Sequence, residues 1–167
     1  NMKLAVGGLV NKGIVEMLQK EDVNAFGFTG LDGRVVKAKR KEKIMVVNER
    51  GRRQILRGEY SGKPESVNPE IVNFLLENGY VPVIGCMCSS EKGEALNVDG
   101  DRVAVSVATQ IKADKFISLT DVEGIYQNLE TKEVIPELTV AGAESMSKTT
   151  KVEGGMKKAN SNLIQLW

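Results

Sequence analysis

Three stretches of this chain hold side chains that could do chemistry. The first is Leu96-Asn97-Val98-Asp99-Gly100-Asp101, which runs into a helix-like pattern. Its three short polar side chains could cap backbone N–H groups, orient a substrate amine or carboxylate, or hold a lysine in place. On the residues alone, a plain capping loop with surplus acids is the favoured reading. The second is Leu119-Thr120-Asp121-Val122-Glu123-Gly124-Ile125-Tyr126, a strand-like run entering a glycine turn where backbone could approach an adenine or phosphate. The third is Lys151-Val152-Glu153-Gly154-Gly155-Met156-Lys157-Lys158, whose diglycine admits close backbone approach and whose lysines could reach phosphate. A common surface turn and a flexible basic turn remain the alternatives for these two.

Other chemistries are excluded in their usual forms. No G-x-x-x-x-G-K-[ST] or G-x-G-x-x-G pattern occurs. The chain has no histidine, so a serine or cysteine triad lacks its base. Cys86 and Cys88 stand one residue apart, which strains a disulfide, and the further ligands of a closed metal site are missing. They read as ordinary reduced thiols at a strand end, which places the chain in the cytoplasm, and no metal site is expected. No apolar run reaches 18 residues, so no membrane span is expected.

A net charge of +1 conceals an asymmetry. Residues 34–63 hold eleven Lys and Arg against three acidic residues, a net of +8, leaving −7 for the rest. Such a patch draws in a polyanion or an acidic protein. Nucleic acid is the weaker of these partners, because only Tyr60 in the segment could stack on a base.

These loops need elements to hold them. Asn11 is expected to cap a helix carrying Ile14, Val15 and Leu18. Ala25–Phe28 reads as a buried strand ending in the Asp32-Gly33 turn. Ile44–Val47 and Gln54–Leu56 form a hairpin with a basic rim. Asn68, Pro69 and Glu70 start a helix that buries Ile71, Val72, Leu75 and Leu76 and stops at Gly79. Val81–Ile84 is a strand covered on both faces. Val103, Ala104, Val107, Ala108 and Ile111 mark the buried face of the next helix. Phe116–Leu119 is a strand, and a short helix covers Ala141–Met146. Alternating strands and helices predict an α/β fold with a mostly parallel sheet, a ligand site at its strand ends and the basic hairpin as an excursion.

In this order, LNVDGDRVA, KADKFISLTDVEGIY, ELT and VEGGMKK resemble the carboxyl half of the acetylglutamate-kinase branch of the amino-acid kinase family. GLVNKGIVEML, GFTGLDG and NPEIVNFLLENGYVPVIG fit the middle of the same family, so the resemblance runs from about Leu9 to about Lys158. The stretch KAKRKEKIMVVNERGRRQILRGEYSGK looks most like the subgroup that phosphorylates aminoadipate or glutamate held on a small acidic amino-group carrier protein, in lysine or arginine biosynthesis. The resemblance implies a three-layer α/β/α sandwich of the carbamate-kinase-like kind, using ATP with Mg²⁺. It implies that Asn97 and Asp99 serve the substrate and that Asp101 organises catalytic lysines. Thr120, Asp121, Gly124, Tyr126, Lys151, Val152, Glu153 and Gly155 would serve the nucleotide. Lys39, Arg40, Lys41, Arg50, Arg52 and Arg53 would meet the carrier.

Both ends depart from the family's pattern. The Lys-x-Gly-Gly loop and a second glycine-rich loop are expected upstream of this chain, and Gly7-Gly8 does not replace them. The family's lysine four residues after the glycine of Gly-Met would fall at Ala159, with Lys158 the nearest stand-in for a catalytic lysine. Residues 159–167 read as a divergent tail on one partial domain, 1–167, that contains the 34–63 hairpin. The expectations are impaired turnover by the chain alone, and self-association or pairing with a complementing amino-terminal chain. A non-catalytic nucleotide- or carrier-binding subunit is the alternative.

Overall fold

The computed structural model describes residues 2–47, 51–121, 123–128, 131 and 133–149. These fall into two compact units, one up to Lys112 and one from Ala113. The first unit is built on a five-stranded sheet in the order β1-β6-β2-β5, with β7 paired to β6. Its strands are β1 (Ala25–Gly30), β2 (Val36–Arg40), β5 (Gly62–Val67), β6 (Val81–Ser89) and β7 (Ala95–Asn97). β1 and β2 run parallel to β6, while β5 and β7 return antiparallel to β2 and β6.

Helices cover both faces. A π-type stretch, Lys3–Val10, continues into α1 (Asn11–Lys20). It lies close on the sheet because small residues leave room: a Cβ on Gly7 would meet Met87, and one on Gly85 would meet Thr29 and Val6. Asn11 is not the N-cap its residue type predicts. It is 3% exposed, and its side-chain amide donates to the carbonyls of Phe28 (3.1 Å) and Val83 (2.9 Å) on β1 and β6. A polar side chain facing a sheet spends its donors on the carbonyls there, and the helix starts a turn or more earlier.

The opposite face carries the core. Val35, Val36, Ala38, Val67, Cys88, Leu96 and Val98 pack with Val72 of α2 (Glu70–Glu77) and Val103 of α3 (Gly100–Gln110). The N-cap is Pro69, one residue later than expected, with Asn68 just outside it accepting from the Glu70 N–H (3.0 Å); Gly79 has φ +77° at the stop, as the local residues predict. The buried face is narrower than expected. Val72 and Leu75 are buried, but Ile71 and Leu76 are exposed. On α3, Val105 is buried in place of Ala104.

Between β2 and β5 the chain leaves the sheet as a hairpin, β3 (Lys43–Val47) and β4 (Arg53–Arg57). Register sets Met45 opposite Ile55 and Val47 opposite Arg53. One face of the hairpin therefore presents Met45, Val47 and Ile55, all exposed, beside Lys43 and Arg53.

The second unit holds a small hairpin, β8 (Tyr126–Asn128) and β9 (Glu133–Val134), and α4 (Val140–Thr149), which covers the predicted helix. Phe116–Leu119, expected as a strand, forms no regular element and has no strand pairing; Ile117 is 77% and Leu119 94% exposed. β-propensity makes a strand only where a ladder partner stands beside it, and none does among the described residues.

Candidate functional site

The first loop forms as the capping reading requires. Asp99 has extended backbone and accepts from the Arg102 N–H (3.3 Å), capping α3. Asp101 is exposed in the first turn of that helix, where a carboxylate also suits the helix dipole.

Asn97 ends β7, which folds back along β6 with Met87 opposite Asn97. Its backbone N–H donates to the Tyr60 carbonyl (2.7 Å), tying β7 to the chain leaving the basic hairpin. These elements enclose a depression of about 460 Å³. Met2, Met87, Leu96 and Ala95 give it apolar walls, and Lys3, Tyr60, Glu94 and Asn97 give it polar ones. A hollow with an apolar body and a few convergent polar groups suits a small amphipathic ligand.

The rim is organised by Arg40, the last residue of β2. Its guanidinium lies over the Tyr60 ring, 4.1 Å from the centroid, and pairs with the Glu94 carboxylate at 3.3 Å. It also donates to the carbonyls of Glu59 (3.0 Å) and Gly58 (2.7 Å). Of the other residues expected to meet a carrier, Lys39, Lys41, Arg52 and Arg53 are exposed, and Arg50 lies outside the described residues.

The nucleotide candidates belong to the second unit. Thr120 and Asp121 are exposed. Gly124 is needed for close approach, since a Cβ there would stand 2.9 Å from Val134 Cγ1. Tyr126 is half-buried and pairs with Val134 across β8 and β9. Lys151, Val152, Glu153, Gly155 and Lys158 lie outside the described residues. No group of three or more Cys, Asp or Glu is placed to hold a metal ion among the described residues.

Cys86 and Cys88 are free thiols on one face of β6, in its last four residues. Burial, reinforced by Cys86, pushes the Cys88 thiol up to about 12, so it stays protonated and unreactive at neutral pH. No helix among the described residues is long and apolar enough to cross a membrane.

Sequence reasoning found Asn97 but passed over Glu94, Lys3 and Met87. Arg40 and Glu94 are 54 residues apart, and no local pattern marks that pairing. A 2-residue period on β6 could have placed Met87 on the face opposite Cys86 and Cys88.

A protein from Nitrosopumilus maritimus that carries the provisional name LysW-aminoadipate/LysW-glutamate kinase is 43% identical over 155 residues, 93% of this chain and 56% of its own length. The LysW-aminoadipate kinase of Thermus thermophilus is 38% identical over 152 residues, 90% of this chain and 56% of its own. The chain thus spans a little over half the length of these relatives. Among solved structures, the N-acetylglutamate synthase of Neisseria gonorrhoeae superposes with a TM-score of 0.72 at 19% identity, over 95% of this chain and 33% of that one, which speaks for the fold. The amino acid kinase family model matches residues 3–165, and the chain belongs to that family.

Proposed function

We propose that this chain contributes the acceptor side of an ATP-dependent kinase for the side-chain carboxylate of an N-blocked glutamate or aminoadipate, presented on a small acidic carrier protein. One observation carries the reading. The hollow that holds Asn97 opens beside the base of the basic hairpin: Tyr60 lines it, and Arg40, whose guanidinium lies over the Tyr60 ring, stands at its rim. A carrier docked on the hairpin would have its amino acid within reach of the hollow. Both relatives are named for LysW-aminoadipate, and one also for LysW-glutamate, which supports the same acceptor class.

The chemistry asks little of a base. A carboxylate is already ionised at neutral pH, so it attacks the γ-phosphorus of MgATP in line and gives an acyl phosphate and ADP. The protein's part is positioning and charge neutralisation. Asn97 orients the acceptor's α-substituent, and Asp101 orients cationic groups. Thr120, Asp121, Gly124 and Tyr126 would meet the nucleotide, with Lys151 to Glu153 closing over it and Lys158 facing the phosphates. The Mg²⁺ arrives with the nucleotide, as part of the substrate.

Calorimetry with a non-hydrolysable ATP analogue and Mg²⁺ tests the nucleotide half. The chain should bind it, and Asp121→Ala should weaken binding about tenfold, the value of one lost charged contact. Trapping with hydroxylamine tests the chemistry, because an acyl phosphate on the carrier's glutamate or aminoadipate yields a hydroxamate. Because impaired turnover is expected of the chain alone, the trap is run with and without a complementing amino-terminal chain. Nucleotide and carrier binding without hydroxamate in either case would sink the kinase reading and leave a binding subunit.

A further inference from the structure

We infer that Arg40 is the positioning residue of the acceptor pocket, holding its rim in shape and cancelling the charge of its own Glu94. The inference rests on reading the hollow as the acceptor site. Arg40 is not among the residues lining that hollow, yet it touches two that are, Tyr60 and Glu94. A third, Asn97, is fixed to the Tyr60 carbonyl through its backbone N–H.

Each contact uses a feature only arginine has. The planar guanidinium stacks on the Tyr60 ring while its edge donates in three directions, to Gly58, Glu59 and Glu94. Gly58 sits at φ +81°, a backbone state suited to glycine, and its carbonyl meets Arg40. Glu94 is itself set. Its second carboxylate oxygen accepts from Ser90 Oγ (3.2 Å), and the backbones of Ser90 and Glu94 close the intervening turn (2.8 Å). Arg40 thus joins the hairpin's return strand, the Ser90–Glu94 turn and, through Tyr60, the end of β7.

The electrostatics point the same way. With Arg40 in place, the pocket wall carries a paired carboxylate; without it, Glu94 would face an anionic acceptor unpaired. Both side chains are about one-third exposed, 33% and 34%, so the pair contributes little to global stability, and its consequence is local. Lys39 and Lys41, which flank Arg40, are exposed. The geometry therefore gives Arg40 a part distinct from the carrier-facing lysines, in place of the carrier contact its charge suggests.

The test uses the full chain, N-acetyl-L-glutamate as probe, and amide hydrogen exchange at Asn97. Arg40→Gln should weaken the probe at least tenfold and speed Asn97 exchange at least fivefold, while amides of β1 and β6 keep their protection. Arg40→Lys should recover part of the affinity, through charge, and none of the protection, because an ammonium neither stacks flat nor forks. Adding Glu94→Gln to Arg40→Gln should recover affinity in the same partial way. Unchanged Asn97 exchange in both Arg40 variants would overturn the inference, and so would a rise spread evenly over the sheet, which marks a general structural role. Should the unaltered chain not bind the probe, the acceptor-site reading fails, while Asn97 exchange still decides whether Arg40 shapes the rim.

Discussion

Asn11 shows how a residue's type can mislead while its chemistry remains decisive. Its side-chain amide bridges carbonyls of two adjacent strands from inside a helix, and its Oδ1, packed against Gly27, is buried without a hydrogen-bond partner. Losing two buried hydrogen bonds costs about 2–3 kcal/mol, so Asn11→Ala should lower the urea midpoint accordingly. Asn11→Asp should cost more at neutral pH, since a buried carboxylate would face two carbonyls with no donor. That extra penalty builds as pH rises from the unfolded carboxyl's pKa to the raised folded one, so acidification should relieve it. Cys88 gives a second pH signature. Its folded thiol holds its proton to about 12 against an ordinary 9.0, so between these values the unfolded chain binds fewer protons. Stability should then fall with rising pH across that window, approaching tenfold in the folding constant per unit. The difference between wild type and Cys88→Ala isolates the effect from lysine titration; parallel curves would show that burial does not hold the proton.

Elements were legible in proportion to how local their causes are. The start and stop of α2 are written in Asn68, Pro69 and Gly79, and the hairpin in its two apolar runs around a polar turn. Accordingly, Asn68→Ala should cost about 1 kcal/mol, the usual worth of a lost capping hydrogen bond, read by thermal unfolding. Gly30→Ala should cost more than that, because its Cβ would stand 2.9 Å from both the Met87 carbonyl and Val36 Cβ, neither of which is a flexible end. A smaller loss at Gly30 than at Asn68 would mean that the β1–β6 bulge between Thr29 and Gly30 can shift. What local pattern could not supply was the partner. Phe116–Leu119 has strand residues but no ladder, and Ala104 fits the helical stripe while Val105 takes the buried place. The hollow beside Asn97 was half-legible for the same reason. Asn97 sits in a recognisable loop, whereas Glu94 matters only because the fold brings it to Arg40.

At the scale of the whole molecule, the dominant feature is the separation of +8 on residues 34–63 from −7 elsewhere, visible in composition alone. The fold adds to it by raising part of the segment as a hairpin that presents Met45, Val47 and Ile55 beside Lys43 and Arg53. A charged surface of this kind speeds encounter, while an apolar strip in its middle slows release once water is excluded. Reversing Lys39, Lys41 and Arg53 to Glu takes the segment from +8 to +2. The association rate with an acidic carrier should fall at least tenfold at low salt, with the dissociation rate changed far less. Met45→Ser with Ile55→Ser should do the reverse, raising the dissociation rate. By about 1 M salt, where the screening length is near 3 Å, the charge-reversed and unaltered chains should associate at similar rates. Lys20→Glu, on α1 and outside the segment, should stay within twofold of the unaltered chain throughout, since Lys20 is an exposed charge already paired with Glu16. Equal slowing by Lys20→Glu would show that net charge alone governs the encounter, and the hairpin would lose its claim as the docking face.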